Sequence, residues 1–264
     1  DVESFPILKG ILDRITGEPD AYRSPPEMGV NRAGFAIVDD EAAREAARQE
    51  VVRRYLRCAS EYMMGMADKA SFEKADLLMK ELGIGPEYRA VVPAARKAAE
   101  EARGLAEADA AGDAGDAGDA VGGDSASCGA ALQLASGEII TGKNSTMLHA
   151  ATAAVLNSAK RLAGVPDQIH LLSPLVIESV ARLKREVLGR KSASLDVDEA
   201  LIALSISATL TPMVQACVDT LHELRGCQMH LSHMPTPGDE AGLRKLGVNL
   251  TSDPVYASKR LFVE

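Results

Sequence analysis

The chain has 264 residues and a mass of 27.9 kDa, enough for one large domain or two smaller ones. Its 29 basic and 38 acidic side chains give a formal charge of −9, with five Tyr, four Phe and no Trp, a balance that lacks the basic patch and stacking rings of a nucleic-acid binder. The 46% hydrophobic and 25% charged composition is that of a globular protein, and no apolar run approaches the roughly 20 residues that span a bilayer.

Phe5, Leu8, Leu12 and Ile15 recur at helical spacing, and Gly17 follows as a stop. The chain opens at Asp1 inside this pattern, with no leader-like segment, and is expected to continue from an absent N-terminal portion. Gly34–Val38 is a short strand candidate. Asp39, Asp40 and Glu41 offer carboxylates to the start of the next helix, Glu41 to about Met66, and capping is favoured over magnesium binding. Helices are also predicted over Ser71–Leu82 and Pro86–Arg103.

From Gly104 to Ser127 an Ala-Gly-Asp repeat carries six acids and no base, so two thirds of the net charge sits there. Such a segment buries too little surface to offset its ordering entropy. It reads as a disordered linker between a mostly helical portion, 1–103, and a C-terminal domain, 128–264. The four cysteines are scattered, without a CxxC pair, and read as buried free thiols of a reducing cytoplasm.

Beyond the linker, Gly129–Ala135 and Glu138–Gly142 flank Ser136-Gly137 as a β-hairpin. A helix carrying Leu148, Ala151, Val155, Ala159 and Leu162 on one stripe follows, then a possible strand at Ile169–Leu172. Helices are predicted from Pro174 to about Leu188, after Asp196 with Glu199 as a capping box, and from Pro212 to Gly226. Cys227–Ser232 alternates, placing His230 on its polar face. A short helix, Asp239–Leu246, leads to Val248–Thr251, which predicts a parallel strand pair with a right-handed crossover. The fold class is α/β, with α+β as the alternative, and the C-terminal domain is expected to have two layers.

Open α/β sheets bind ligands at the carboxyl ends of their strands. His230, His233, Asp239, Asn249 and Asp253 form the sharpest candidate site on that rule. His230, Asp239 and Asp253 are its expected catalytic groups, His230 serving as acid or base. Gly137–Asn144 nearly matches a phosphate loop, but Asn144 replaces the hydroxyl and the segment reads as a strand. Gly142, Lys143 and Ser145 remain candidates for anion binding ahead of a helix N-terminus, and with His233 and Asn249 they make up the expected substrate-binding set. His230 and His233, at i and i+3 across a strand end, point in different directions and make a poor zinc pair by themselves, so no metal ligand is assigned. His149, beside the apolar stripe, reads as a partly buried structural histidine.

The segments FPILKGILDRITGE (5–18), YRSPPEMGVNRAGFAIVDDEAAREAARQEVVRRY (22–55), TGKNSTMLHAATAAVLNSAKRLAGVPDQIHLLSP (141–174), DEALIALSIS (198–207) and LRGCQMHLSHMPTPGDEAGLRKLGVNLTSDPVY (224–256) resemble the domain of unknown function 1846 family, also called uncharacterised protein family 0371. The resemblance covers nearly everything except the Ala-Gly-Asp stretch. It implies a bacterial, cytoplasmic protein whose N-terminal portion carries a GPGSGK-type loop resembling an ATP phosphate cradle. ATP with magnesium is therefore expected in that portion, and no cofactor in this chain alone. It assigns no catalytic residue.

The reading that combines residues and resemblance is an ATP-dependent ligase or phosphotransferase acting on a small anionic substrate. The alternatives are a non-catalytic interaction or oligomerisation module and a metal-dependent hydrolase. The expected partners are a small anionic ligand and further copies of the chain, without nucleic acid or membrane.

Overall fold

The computed structural model describes residues 11, 13–17, 40–112, 127–190 and 192–257. The chain divides into two compact units, Asp1–Arg89 and Ala90–Glu264. The strand expected at 34–38 and most of the helix expected at 5–17 lie outside the described residues.

The first unit contains α1 (Asp40–Met63) and α2 (Lys69–Leu82), which pack together. Asp68 caps α2 by accepting from Ser71 N, and Gly83 ends it in the left-handed conformation. Phe72 of α2 meets Tyr55 and Tyr62 of α1, with ring centroids 5.7 and 5.6 Å away. These offset aromatic contacts add specificity to the apolar packing of the pair. A 3-10 turn at Pro86–Tyr88 closes the unit.

The second unit is built on a sheet of β1 (Gly129–Gln133), β2 (Ile139–Lys143), β3 (Gln228–Leu231) and β4 (Asn249–Ser252), in the order β2-β1-β3-β4. β1 pairs antiparallel with β2 and β3, and β3 pairs parallel with β4. The expected hairpin and strand–helix–strand unit are both present, so the α/β class stands. Helix α3 (Val91–Gly112) covers one sheet face, where Ala131 packs with Val91 and Ala95. Helix α4 (Ala150–Ala163) covers the other, where Ala130 and Leu132 pack with Ala150, Ala151, Ala154 and Val155. Alternate residues of β1 point to opposite faces, so both helices find apolar partners on one strand.

Two expectations change here. The helical stretch opened at Pro86 runs to Gly112 and belongs to the sheet unit, so the boundary falls at 89/90 rather than at 103. The sheet is consequently sandwiched between helices, three layers instead of two. The first nine residues of the expected linker are helical; residues 113–126 lie outside the described set.

Helices α5 (Pro174–Glu186), α6 (Val197–Ala208) and α7 (Pro212–Thr220) form a second apolar cluster with the end of α4, around Leu195, Leu204, Val214 and Cys217. The Asp196–Glu199 capping box is fully formed. Ile169–Leu172 is turn and bend, not strand. A 3-10 turn at Leu221–Leu224 shortens the helix expected to reach Gly226. Helix α8 (Pro237–Leu246) crosses from β3 to β4 and packs on α6.

Gly142 sets the approach of α4 to the hairpin: a Cβ there would lie 2.2 Å from Ala154 N and 2.5 Å from Ala150 O. Gly137, in the hairpin turn, has φ +87° but open space around it. Gly142→Ala is therefore expected to cost roughly 3 kcal/mol by overpacking, and Gly137→Ala about 1 kcal/mol from backbone conformation alone. Urea denaturation of the two variants measures the difference, and equal costs would contradict the packing assignment.

Candidate functional site

The strand β3 ends at Leu231 and leads into Ser232 and His233; β4 ends at Ser252 and leads into Asp253. Both strands point their carboxyl ends the same way, so these residues share one edge of the sheet with the start of α8. Four expected site residues, His230, His233, Asp239 and Asp253, gather there.

Asp239 is fully buried. It is the third residue of α8, and Thr236 caps the same helix start. Its Oδ2 accepts from Thr236 Oγ1 at 2.7 Å and contacts His149 Nδ1 at 2.7 Å, while Oδ1 accepts from Val197 N at 3.1 Å. Burial alone would raise its pKa, but the His149 contact, Thr236 and Val197 together hold it below the ordinary carboxylate range. For His149, burial acts downward and the Asp239 hydrogen bond and charge act upward, leaving the imidazole above its usual value.

Asp253 is the second anchor. Arg96 of α3 grips it bidentately, Nε to Oδ2 at 2.9 Å and Nη2 to Oδ1 at 2.7 Å, the geometry that makes guanidinium–carboxylate pairs strong. His230 Nε2 lies 3.4 Å from Asp253 Oδ1. Burial opposes ionisation of Asp253, but Arg96 and His230 outweigh it and hold the carboxyl well below the usual range. The Thr251 hydroxyl donates to Met229 O at 3.2 Å, so it accepts from His230 Nδ1 at 3.0 Å.

His230 is thus fully buried. The polar face expected for β3 is covered by α3, which the sequence seemed to place in another domain. The expectation that His230 acts directly as acid or base is corrected, because the ring is sealed from solvent with its Nε2 directed at Asp253. His233 is only 6% exposed, and its Nδ1 has no hydrogen-bond partner. Burial pushes its pKa down to about 4, against pulls from Asp239 and Asp253 and with pushes from His149 and His230. Cys128, also near Asp239, has its thiol raised to about 11 by burial first and that carboxylate second, which leaves it unreactive as a nucleophile near neutrality.

A cleft of about 550 Å³ opens beside this cluster, lined by Arg96, Glu100 and Arg103 of α3 together with His233, Asp253 and Tyr256. Its size suits a small-molecule ligand.

The remaining candidates lie elsewhere. Gly142 and Lys143 belong to β2, and five residues separate Lys143 from the His149 cap of α4. Lys143 Nζ pairs with Glu101 at 2.9 Å. Ser145 Oγ accepts from the amides of Met147 and Leu148 in a local turn, so it neither caps α4 nor faces the crevice. Asn249 starts β4 at the opposite strand end and donates to Gly226 O at 3.0 Å. The anion-site expectation for Gly142, Lys143 and Ser145 is corrected because the first two lie in a strand whose glycine is spent on helix packing and the third is used in the turn that follows; Asn249 leaves the expected crevice set because it sits at the far end of β4. The same geometry leaves Gly137–Asn144 unable to cradle the phosphates of ATP. Among the described residues no group of three or more His, Cys, Asp or Glu is arranged to hold a metal ion.

Two residues were missed. His149 was read from its helical stripe, although it lies just before α4, where its ring is free to turn toward Asp239. Arg96 is 157 residues from Asp253 in sequence, and no local pattern signals that pairing.

The family described as domain of unknown function DUF1846 matches the chain through its N-terminal model over residues 1–83 and its C-terminal model over residues 87–262. The two spans meet beside the structural boundary at 89/90. Proteins named UPF0371 protein are similar along 99% of the chain: 41% identity over 263 residues in Clostridium botulinum type A, 40% over 262 in C. botulinum type E3, and 38% over 262 in C. tetani. The chain spans about half, 49%, of the length of these curated relatives. The chain belongs to the DUF1846 family. Among the described residues no helix is long and apolar enough to cross a membrane.

The pKa directions set a pH dependence. His233 is held neutral to about pH 4 in the fold and takes a proton near 6.5 when unfolded. The unfolded chain therefore binds protons first, and stability falls as pH drops between those values. His149 has the opposite sign: its contribution is complete below 6.5 and is lost as pH rises through its raised value. Urea midpoints at pH 6.5 and 4.5 are expected to show a loss in the native protein about 2 kcal/mol larger than in His233→Gln. Equal losses would contradict the buried neutral assignment.

Proposed function

We propose that the crevice at the carboxyl ends of β3 and β4 is the acid–base centre of an enzyme acting on a small anionic substrate. The observation that carries this reading is the 2.7 Å contact between His149 Nδ1 and the buried Asp239 carboxylate. A carboxylate only accepts, so Nδ1 holds a proton, and Nε2 is the nitrogen left to gain or lose one as the imidazole titrates. The His149 side chain is 20% exposed, whereas His230 is sealed. The proton-transfer role therefore falls to His149, with Asp239 as its positioning residue. Asp253, fixed by Arg96 and His230, gives the cleft wall a permanent charge pair. Arg103 supplies attraction for an anion at the cleft's rim.

The family resemblance supports an ATP-dependent ligation or phosphoryl transfer as the overall reaction, in which these residues would serve the substrate side. In a protein of the relatives' full length, His149→Gln is expected to lower ATP-consuming turnover against a panel of carboxylate and phosphate acceptors by about 10²–10⁴-fold. Asp239→Asn should abolish the downfield Nδ1–H signal of His149 in histidine-labelled protein. Unchanged turnover in His149→Gln would sink the proposal.

A second reading, assembly of the chain with itself, is favoured by the outer face of α6. Ile202 and Ile206 are 62% and 59% exposed, and Leu210 just beyond is 84% exposed. An apolar helix face of this kind is characteristic of contact surfaces. Sedimentation should find the native protein oligomeric and Ile206→Asp shifted toward monomer; a monomeric native protein removes this reading.

A further inference from the structure

We infer that the cleft between α3 and the ends of β3 and β4 binds a small ligand bearing a single oxyanion, carboxylate or phosphate, with Arg103 meeting the charge and His233 accepting or donating a buried hydrogen bond. The inference rests on the proposed acid–base centre being a substrate site and names the chemistry that the site selects.

The side chains of Arg96, Glu100 and Arg103 lie on one face of α3, at helical spacing, and all three line the cleft. Arg96 is committed to Asp253 by two hydrogen bonds. Arg103 has no ion pair among the described residues and lies two turns farther along, roughly 10 Å from Arg96 by helical rise. The cleft's cationic capacity is thus concentrated at the end away from the buried carboxylate. Glu100, one turn before Arg103, places a negative charge between them. A polyphosphate laid along α3 would run against that carboxylate; one compact oxyanion at Arg103, followed by a neutral or cationic group, would not.

The inner end offers a different contact. His233 is nine-tenths buried and lines the cleft, yet its Nδ1 lacks a partner. A buried unsatisfied ring nitrogen costs about 1–3 kcal/mol, which a ligand hydrogen bond at the cleft floor would offset. Desolvation keeps this imidazole neutral in the physiological range, which suits a hydrogen bond to an uncharged part of a ligand. The site therefore reads a charge at its rim and a polar, uncharged group at its floor. The 550 Å³ available suits a metabolite-sized molecule.

The test is calorimetry and histidine-labelled NMR of the whole chain, with inorganic phosphate in one arm and glutamate in the other. Saturable shifts of the His233 ring are expected with at least one probe, and the stronger arm identifies the oxyanion. Arg103→Gln, on an exposed helical position, should weaken that probe roughly tenfold, the worth of one charge-assisted contact. Arg182→Gln, an equally exposed charge removal on α5, should leave it unchanged. His149→Gln should retain the binding, so lost turnover in that variant bears on proton transfer alone. No saturable shift from either probe, or equal weakening by Arg103→Gln and Arg182→Gln, overturns the assignment.

Discussion

One buried carboxylate organises the second unit. Asp239 has no exposed surface, and removing a carboxylate from water costs several kcal/mol unless donors replace the lost hydration. The replacements come from three helix starts: His149 ahead of α4, Val197 at the first turn of α6, and Thr236 capping α8. Each start also presents free amides and the positive end of a macrodipole. The negative charge is therefore stabilised by the same groups that it holds in place. Gly238 and Gly242 make the arrangement sterically possible. A Cβ on either would lie 2.0 Å from Asp196 Oδ2 or 2.6 Å from Val197 Cγ1, so α8 approaches the head of α6 only because both positions lack a side chain.

The second charged group, Arg96–Asp253–His230, solves a different problem. α3 lies across a face of the sheet that carries His230, and an imidazole trapped under a helix needs both nitrogens answered. Thr251 answers one and Asp253 approaches the other, while Arg96 completes the carboxylate from the helix itself. The pair ties α3 to the end of β4 through a part-buried bidentate contact of fixed geometry. His233 lies within the electrostatic reach of both groups, drawn by two carboxylates and repelled by two histidines. Burial is larger than either influence, which keeps it neutral between two strongly polar neighbours.

The legible part of this site follows from one topological rule. Residues at the carboxyl end of a parallel strand pair meet in a crevice, and the alternation of 227–232 with the helix and strand after it was enough to place His230, His233, Asp239 and Asp253. Lys143 and Ser145 were placed by a motif whose geometry requires a loop, while Ile139 to Lys143 prefer the hairpin. Asn249 was placed on the correct strand at the wrong end. The hidden part depended on chain connectivity. An Ala-Gly-Asp repeat reads as a break because it offers no apolar stripe, yet alanine is the strongest helix former, and α3 carries through its first third. Misplacing that helix removed Arg96 from view, lost a layer of the sheet unit, and left His230 looking exposed.

Net charge turns out to be a poor guide to the cleft for the same reason. Two thirds of the −9 belongs to 104–127, while the groups lining the cleft are two arginines, one glutamate, one aspartate and a neutral histidine. Their formal sum is zero, but they are not equivalent. Arg96 and Asp253 neutralise one another at close range, and a ligand that competed for either would have to replace a bidentate contact. What remains to meet a ligand is Arg103 against Glu100, separated by one helical turn and open to solvent, where screening weakens both. On the proposed reading, charge at the rim would contribute one solvent-screened contact. Discrimination between ligands would then fall mainly to the desolvated floor, where an unpaired donor or acceptor is costly. On the proposed reading, selectivity would rest on His233, which burial keeps neutral against the opposed influences of two carboxylates and two histidines.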